Sequence, residues 1–170
     1  SASPTPGKKR GFGVAAGAHI SGLLGTGAIV RLLEDGSIVL NTGAVDIGQG
    51  SDTVLAQICA EALKVPLDRV AVASPDTDGS PYNWGTTASR VTYTTGRSVA
   101  LAAAEVETQI KELAADMLEC AAGDLELRPG GFVGIAGVPD KQLPLFLVSL
   151  QAHWRRGGAI VGEHRWVFDR

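Results

Sequence analysis

The sequence predicts an α+β fold, with an antiparallel-rich mixed sheet, helices packed on one face and a ferredoxin-like split βαβ character. Three observations predict it: short β-branched runs early in the chain, two longer segments with apolar residues at helical spacing, and further short β-branched runs after them. Of the 170 residues, 45% are hydrophobic and 19% are charged, a globular composition. We therefore expect one folded domain over residues 11–170.

The first part of the chain predicts a linker followed by strands. Residues 1–10 are rich in Pro, Ser, Gly and Lys, which is typical of a linker, and the basic run at residues 8–10 is expected to be solvated. From residue 11 to residue 42 the apolar residues come in short β-branched stretches, with Glu34-Asp-Gly36 as a turn. This pattern predicts two strands, a tight hairpin and a third strand, with order beginning near Gly11.

The next segment changes its hydrophobic period. Residues 51–64 place apolar side chains on one helical face, and Pro66 ends the run. Residues 69–74 alternate and are β-branched, which predicts a strand. A strand, a helix and a strand in this order form a parallel crossover, which is expected to be right-handed.

The remaining elements follow from the same rules. Residues 75–96 are turn-forming and then crowded with hydroxyl side chains. Residues 98–120 predict a long helix, whose apolar stripe is expected to be core. Residues 125–133 are typical of a hairpin, residues 145–154 of a short helix, and residues 159–168 of a closing strand.

Composition excludes several classes of function. The formal net charge of −3 argues against electrostatic capture of nucleic acid. The sequence has no run of about 20 apolar residues that would predict a membrane span, and its first residues lack a basic region followed by an apolar core, the pattern of a signal peptide. Cys59 and Cys120 lie far apart, without the short spacings of metal sites, so a cytoplasmic location fits best.

Gly48-Gln-Gly-Ser51 is the first candidate site, because it lies where a strand ends and a helix begins. Two glycines allow a sharp turn and a close approach to a ligand, and a helix start offers unpaired N–H groups that suit an anion. The Gln49 amide can read a heterocycle edge, and Ser51 and Thr53 add hydroxyls. The alternative is an ordinary tight turn with a helix cap.

Residues 85–90, Gly-Thr-Thr-Ala-Ser-Arg, are the second candidate site. Their hydroxyls and the Arg90 guanidinium could bind an oxyanion. The alternatives are a helix-capping turn and a surface ion pair of Arg90.

Other motifs are set aside. The glycines near residues 11–13 and 22–27 do not form a strand-to-helix dinucleotide loop, and no P-loop occurs. The three histidines are scattered, which favours structural roles and no metal ligands. We expect Asp46, Asp76 and Asp78 to cap loops rather than to act as bases.

The order of two motifs resembles the molybdenum hydroxylases of the xanthine dehydrogenase and aldehyde oxidase family. The first is Val45-Asp-Ile-Gly-Gln-Gly-Ser-Asp-Thr53, followed by Gln57 and Val65-Pro66. The second comprises Asp76-Thr-Asp78, Gly85-Thr-Thr-Ala-Ser-Arg90 and Gly96-Arg-Ser-Val99. The resemblance covers roughly residues 9–150 and identifies the chain as part of the molybdopterin-binding domain of a large subunit.

The resemblance implies a molybdenum–molybdopterin cofactor, in some members a cytosine dinucleotide, that hydroxylates an aldehyde, purine or other heteroaromatic carbon with water as the oxygen source. It also implies partners: the remainder of the large subunit, and iron–sulfur and FAD subunits or domains. By position, Gln49 would bond the pterin or an oxygen ligand of molybdenum. The other implied cofactor-binding residues are Gly48, Gly50, Ser51, Thr53, Ala88, Ser89 and Arg90, and none is implied to bind metal directly.

Departures from the family pattern matter as well. The family's catalytic glutamate lies in a glycine-rich segment further downstream, and Gly162-Glu163 stands in another order and context. The chain also begins at Ser1 without an initiator Met. We therefore expect a fragment that is inactive alone, has no catalytic residue of its own and retains no cofactor when isolated.

Two other functions are compatible with the same residues. A non-catalytic module could bind another phosphorylated ligand at residues 48–53, and a bound nucleotide without molybdenum would favour it. An assembly domain would leave both candidate loops as plain turns, without any ligand.

Overall fold

The computed structural model describes residues 6–22 and 24–167. Seven strands and three α-helices follow one another along this part of the chain, with short 3-10 turns before β3 and β4 and a π-helical turn before α2. The bounds are β1 Thr26–Leu32, β2 Ile38–Thr42, α1 Ser51–Leu63, β3 Val70–Val72, α2 Gly96–Leu118, β4 Leu125–Arg128, β5 Phe132–Ile135, β6 Gln142–Pro144, α3 Leu145–Arg156 and β7 Ile160–Trp166.

The larger sheet has the strand order β3-β2-β1-β7. β1 pairs antiparallel with both β2 and β7, whereas β2 and β3 are parallel and joined through α1. The predicted hairpin is confirmed: Asp35 accepts from the N–H of Ser37, and Gly36 has a φ of 79°. The predicted α+β class and its antiparallel-rich mixed sheet are confirmed. In one detail the topology differs, since β2 and β3 are direct neighbours and no strand splits the βαβ unit.

The smaller sheet contains β4, β5 and β6, all antiparallel. The sequence predicted its hairpin but not β6. That strand has only three residues, the last of them Pro144, so it carries no alternating pattern.

The core lies between the larger sheet and the helices. α2 packs on β1, β7 and α1, and its predicted stripe is buried as expected, except that Met117 is only partly buried. Each fully buried aliphatic side chain contributes about 1.5–3 kcal/mol to the stability of the fold, relative to the same side chain exposed to water. The largest buried apolar side chains include Leu32, Ile38, Leu40, Leu55, Leu63, Ile110, Leu145 and Ile160.

The predicted strand before β1 is wrong. Residues 11–20 form no helix or strand, and all their side chains are exposed, including Phe12 and Val14. β-branched and apolar residues form a strand only where a second strand pairs with them, and the described residues offer none here. The first five residues of the predicted linker and residue 168 of the predicted closing strand lie outside the described residues.

Residues 91–95 form a π-helical turn that leads directly into α2. Thr94 and Thr95 are fully buried there, and Thr95 lies 3.2 Å from the hydroxyl of Thr26 in β1. The hydroxyl-rich stretch is therefore attached to the sheet. Among the described residues, no helix is long and apolar enough to cross a membrane.

Candidate functional site

The two candidate motifs meet across one cleft. We call residues 44–50, which end at the start of α1, the Gln49 loop, and residues 85–90, which precede the π-helical turn, the Ser89 loop. The cleft has a volume of about 330 Å3 and is lined by Ile47, Gln49 and residues 86–92. About 40 residues separate the two motifs in sequence, so the fold brings them together.

The Gln49 side chain is folded back on its own loop. Its Oε1 accepts a hydrogen bond from the N–H of Ile47 at 2.6 Å. Its Nε2 donates to the carbonyl of Val45 at 3.2 Å and to Oγ of Ser51 at 3.0 Å. The amide thus holds a defined orientation at the edge of the cleft, with both polar atoms already bonded.

The start of α1 is occupied by the carboxylate of Asp46. Its Oδ1 accepts from the N–H groups of Gly48 at 2.8 Å and Gly50 at 3.4 Å, and its Oδ2 accepts from Asp52 at 3.3 Å. These bonds lower the pKa of Asp46, with the bond from Gly48 as the largest cause. The expectation that this helix start offers free N–H groups to a ligand is therefore wrong for these three groups, whereas the expected capping role of Asp46 is confirmed.

The backbone conformation favours glycine at positions 48 and 50. Their φ angles are 99° and 77°, a region that favours glycine. A Cβ added to either would meet no atom within 4 Å. The space beside this turn is therefore open, and a ligand could approach the backbone there.

Ser51 and Thr53 differ in their exposure to solvent. Ser51 is buried and accepts the bond from Gln49, so it supports the amide. Thr53 is exposed on the first turn of α1. Neither contributes to the described lining of the cleft.

Arg90 is the last residue of the Ser89 loop, and it is completely buried. Its Nη1 donates to Oδ1 of Asn83 at 3.0 Å and to the carbonyl of Gly85 at 2.9 Å. Its Nη2 donates to the carbonyls of Leu24 and Gly25 at 3.1 and 2.9 Å. Burial lowers the pKa of the guanidinium. Arg90 is thus not at the surface, where the alternative of a surface ion pair would place it, and its side chain joins the Ser89 loop to the segment before β1.

Ala88 and Ser89 form a strained turn at the cleft. Their φ angles are 48° and 47°, and Arg90 N–H closes the turn on the carbonyl of Thr87. Positive φ at both central positions is the pattern of a type I′ turn, which costs a non-glycine residue about 1–2 kcal/mol. Within residues 6–22 and 24–167, no hydrogen-bond acceptor is recorded for the N–H groups of residues 87–89. These groups are available to a ligand.

Several residues of the site were not among the cofactor-binding residues that the sequence implied, although Thr86 lies in the second candidate motif. Ile47 and Thr92 line the cleft, and Asn83 holds Gly85 through its Oδ1. Thr86 bonds both backbone groups of Val45. The density of hydroxyls in residues 86–95 was the signal for Thr86 and Thr92, and Ile47 lies within the first family motif, whereas no sequence signal pointed to Asn83.

Three of the residues set aside as structural, Asp76, His153 and His164, have structural contacts, whereas no side-chain contact is described for His19 and Asp78. Asp76 accepts from the N–H groups of Asp78 and Gly79, so it caps its loop. His153 pairs with Glu34 at 3.0 Å, and His164 pairs with Glu105 at 2.9 Å. In the part of the chain that the structure describes, no three His, Cys, Asp or Glu side chains gather in a way that could hold a metal ion.

The fold and the cleft define an α+β domain with an open cleft between the Gln49 loop and the Ser89 loop. The chain matches the model of the molybdopterin cofactor-binding domain family over residues 1–168. It therefore belongs to this family, and the resemblance seen in the two motifs is confirmed.

Relatives of known name agree with this membership. The chain is 38% identical over 114 residues to the carbon monoxide dehydrogenase large chain of Afipia carboxidovorans, covering 67% of this chain and 14% of that protein. It is 35% identical over 163 residues to the xanthine dehydrogenase molybdenum-binding subunit of Escherichia coli O157:H7, covering 91% of this chain and 22% of that protein. The chain thus spans less than a quarter of the length of these relatives.

Solved structures share the fold. Reconstituted CO dehydrogenase from Oligotropha carboxidovorans superposes with a TM-score of 0.74 at 29% identity, covering 87% of this chain and 18% of that chain. Quinoline 2-oxidoreductase from Pseudomonas putida 86 superposes with a TM-score of 0.71 at 29% identity, covering 85% and 19%.

Proposed function

We propose that this chain forms part of the molybdopterin-binding site of an oxidoreductase that hydroxylates an aldehyde, purine or other heteroaromatic carbon with water as the oxygen source. The observation that carries the proposal is the single cleft shared by Gln49 and the Ser89 loop. Family membership supports it, because the two family motifs are the two sides of this cleft. The bound cofactor would supply the redox-active molybdenum centre for the oxidation.

The residues of the cleft fit a molybdopterin cofactor. The N–H groups of Ala88 and Ser89 are directional donors for a phosphate or pterin oxygen. Gly48 and Gly50 leave open space where a planar ring could lie against the backbone. Gln49 would accept a hydrogen bond from the cofactor at Oε1, whose second lone pair is free beside the one that takes the N–H of Ile47, and would keep its bond to Val45.

The remaining predicted residues would act less directly. The Arg90 guanidinium would hold the Ser89 loop in place, since the four hydrogen bonds described for it go to oxygens of the chain. Ser51 would orient Gln49. Thr53 would contribute a hydroxyl at the surface of α1, and its exposure is compatible with that contact.

We propose that catalysis needs more than these residues, including the catalytic glutamate of the family. Glu163 is a poor candidate for that role, since it pairs with Arg165 on β7 and does not line the cleft. The relatives are four to seven times longer than the matched segments, which supports partners in the rest of a large subunit. Iron–sulfur and FAD partners and a cytosine dinucleotide form of the cofactor belong to the same proposal. The free thiols of Cys59 and Cys120 support a reducing cytoplasm.

The test is the molybdenum content of the complete native protein and of its Gln49→Ala variant. We expect about one molybdenum per polypeptide in the native protein and a loss of about tenfold or more in the variant, on the scale of support residues at metal sites. Gln142→Ala, an exposed change on β6, is the matched control and should retain full content. Retention in Gln49→Ala would defeat the role of Gln49. A native protein that binds a nucleotide without molybdenum would instead favour a phosphate-binding module.

A further inference from the structure

The hydroxyl of Thr86 joins the two sides of the cleft. It accepts a hydrogen bond from the N–H of Val45 at 3.0 Å and donates one to the carbonyl of Val45 at 2.8 Å. Both polar groups of one residue in the Gln49 loop are thus bonded by one side chain of the Ser89 loop. Among the described residues, no other hydrogen bond connects residues 44–50 with residues 85–92.

The backbone next to Thr86 is held in place by hydrogen bonds. The preceding residue, Gly85, donates its N–H to Oδ1 of Asn83 at 2.8 Å, and its carbonyl accepts from Arg90 at 2.9 Å. Asn83 in turn donates to the hydroxyl of Thr26 in β1 at 3.0 Å. The position of the Thr86 hydroxyl is therefore set by the sheet.

The backbone of Val45 links the Thr86 hydroxyl to the Gln49 side chain. The Val45 carbonyl accepts from Thr86 and also from Nε2 of Gln49. The Gln49 amide is bonded at its other end to the N–H of Ile47. A displacement of the Val45 peptide would thus displace the amide that faces the cleft.

We propose that Thr86 is a positioning residue, whose hydroxyl fixes the Gln49 amide relative to the N–H groups of residues 87–89. This inference rests on the proposed function, because it is the cofactor that would need both sides of the cleft at a fixed separation. A binding group must be held to within about 0.5 Å to be productive. A single hydroxyl that bonds both backbone polar groups of one residue supplies that constraint.

The test compares Thr86→Val, which keeps the shape and removes the hydroxyl, with Thr86→Ser, which keeps the hydroxyl, in the complete cofactor-loaded protein. Thr108→Val is the matched control, since Thr108 only donates to the carbonyl of Ala104 on the exposed face of α2. Amide hydrogen exchange of residues 44–50 should rise about fivefold in Thr86→Val, the effect of losing one ordinary hydrogen bond. Thr86→Ser and Thr108→Val should match the native protein.

The second readout is the EPR signal of molybdenum after reduction with dithionite, scaled to molybdenum content. A changed signal in Thr86→Val, restored in Thr86→Ser, would support positioning, since a purely structural role would lower the content and leave the signal of the remaining metal unchanged. Native-like exchange or a native-like signal in Thr86→Val would overturn the inference while leaving the proposed function intact. A native protein without molybdenum would overturn both.

Discussion

The N–H of Gly48 donates a 2.8 Å hydrogen bond to Oδ1 of Asp46, two residues earlier in the Gln49 loop. The same carboxylate also accepts from Gly50 and Asp52 at the start of α1. One ionised group therefore closes the loop and caps the helix. This arrangement requires the charged form of Asp46, because a protonated carboxyl is a weaker acceptor for N–H groups.

The stabilisation from Asp46 should depend on pH. Its pKa is lowered from the ordinary value of 3.8 in the folded chain. The contribution is therefore fully present above the unfolded pKa and is lost as the pH falls through the lower folded pKa. The pKa of Asp52 is raised, first by its own desolvation and then by repulsion from Asp46, which offsets part of the gain.

The measurement is the melting temperature of the native chain and of Asp46→Asn between pH 7 and pH 2.5. We expect the native chain to melt higher, by a constant difference above about pH 5 that shrinks below about pH 4. A difference that grows on acidification would contradict the capping role.

Arg90 should be essential for the Ser89 loop. Arg90→Lys keeps the charge but cannot reach both pairs of oxygens, on Asn83 and Gly85 and on Leu24 and Gly25. We expect a loss of about 3 kcal/mol in the free energy of unfolding, measured by urea denaturation, because buried acceptors lose charged hydrogen bonds. The control is Arg97→Lys, at an exposed position on α2, which should change stability by less than about 0.5 kcal/mol. Equal effects of the two changes would contradict the anchoring role of Arg90.

The role of Arg90 also shows where sequence-based prediction ends. Two of its acceptors lie 65 and 66 residues earlier in the chain, and no local pattern encodes such a contact. The α2 helix was predictable, since its apolar stripe repeats at the helical period within one segment. The prediction of a strand before β1 was wrong because a strand, unlike a helix, forms only where a partner strand from another part of the chain pairs with it. The cleft itself was predictable only through the order of the two family motifs.

The turn at Ala88 should be relaxed by glycine. Ala88 has a φ of 48°, and glycine adopts this region without a steric cost. We expect Ala88→Gly to raise the free energy of unfolding by about 0.5–1 kcal/mol in urea denaturation, after the entropic cost of glycine is subtracted. The control has the opposite sign: Ala104→Gly, at an exposed position inside α2, should lower stability by about 1 kcal/mol. If both changes destabilise the chain equally, the turn at Ala88 is not strained.

Gly162 in β7 should not tolerate any side chain. A Cβ added there would overlap the backbone carbonyl of Ala102 in α2 and would also approach Cβ of Glu105 at 3.1 Å. α2 packs extensively on β7 at this place, so neither backbone can move without opening the core. We expect Gly162→Ala to lower the free energy of unfolding by about 3 kcal/mol, the upper part of the range for overpacking.

The matched control for Gly162 is Gly158→Ala, four residues earlier in the connection between α3 and β7. A Cβ at Gly158 would meet no atom within 4 Å, and its φ is not in the left-handed region. This change should alter stability by less than about 0.5 kcal/mol, since nothing is displaced. Urea denaturation of both variants, with circular dichroism as the probe, separates steric overlap from the general effect of replacing glycine. Equal midpoints for Gly162→Ala and the native chain would show that α2 can separate from β7 without cost.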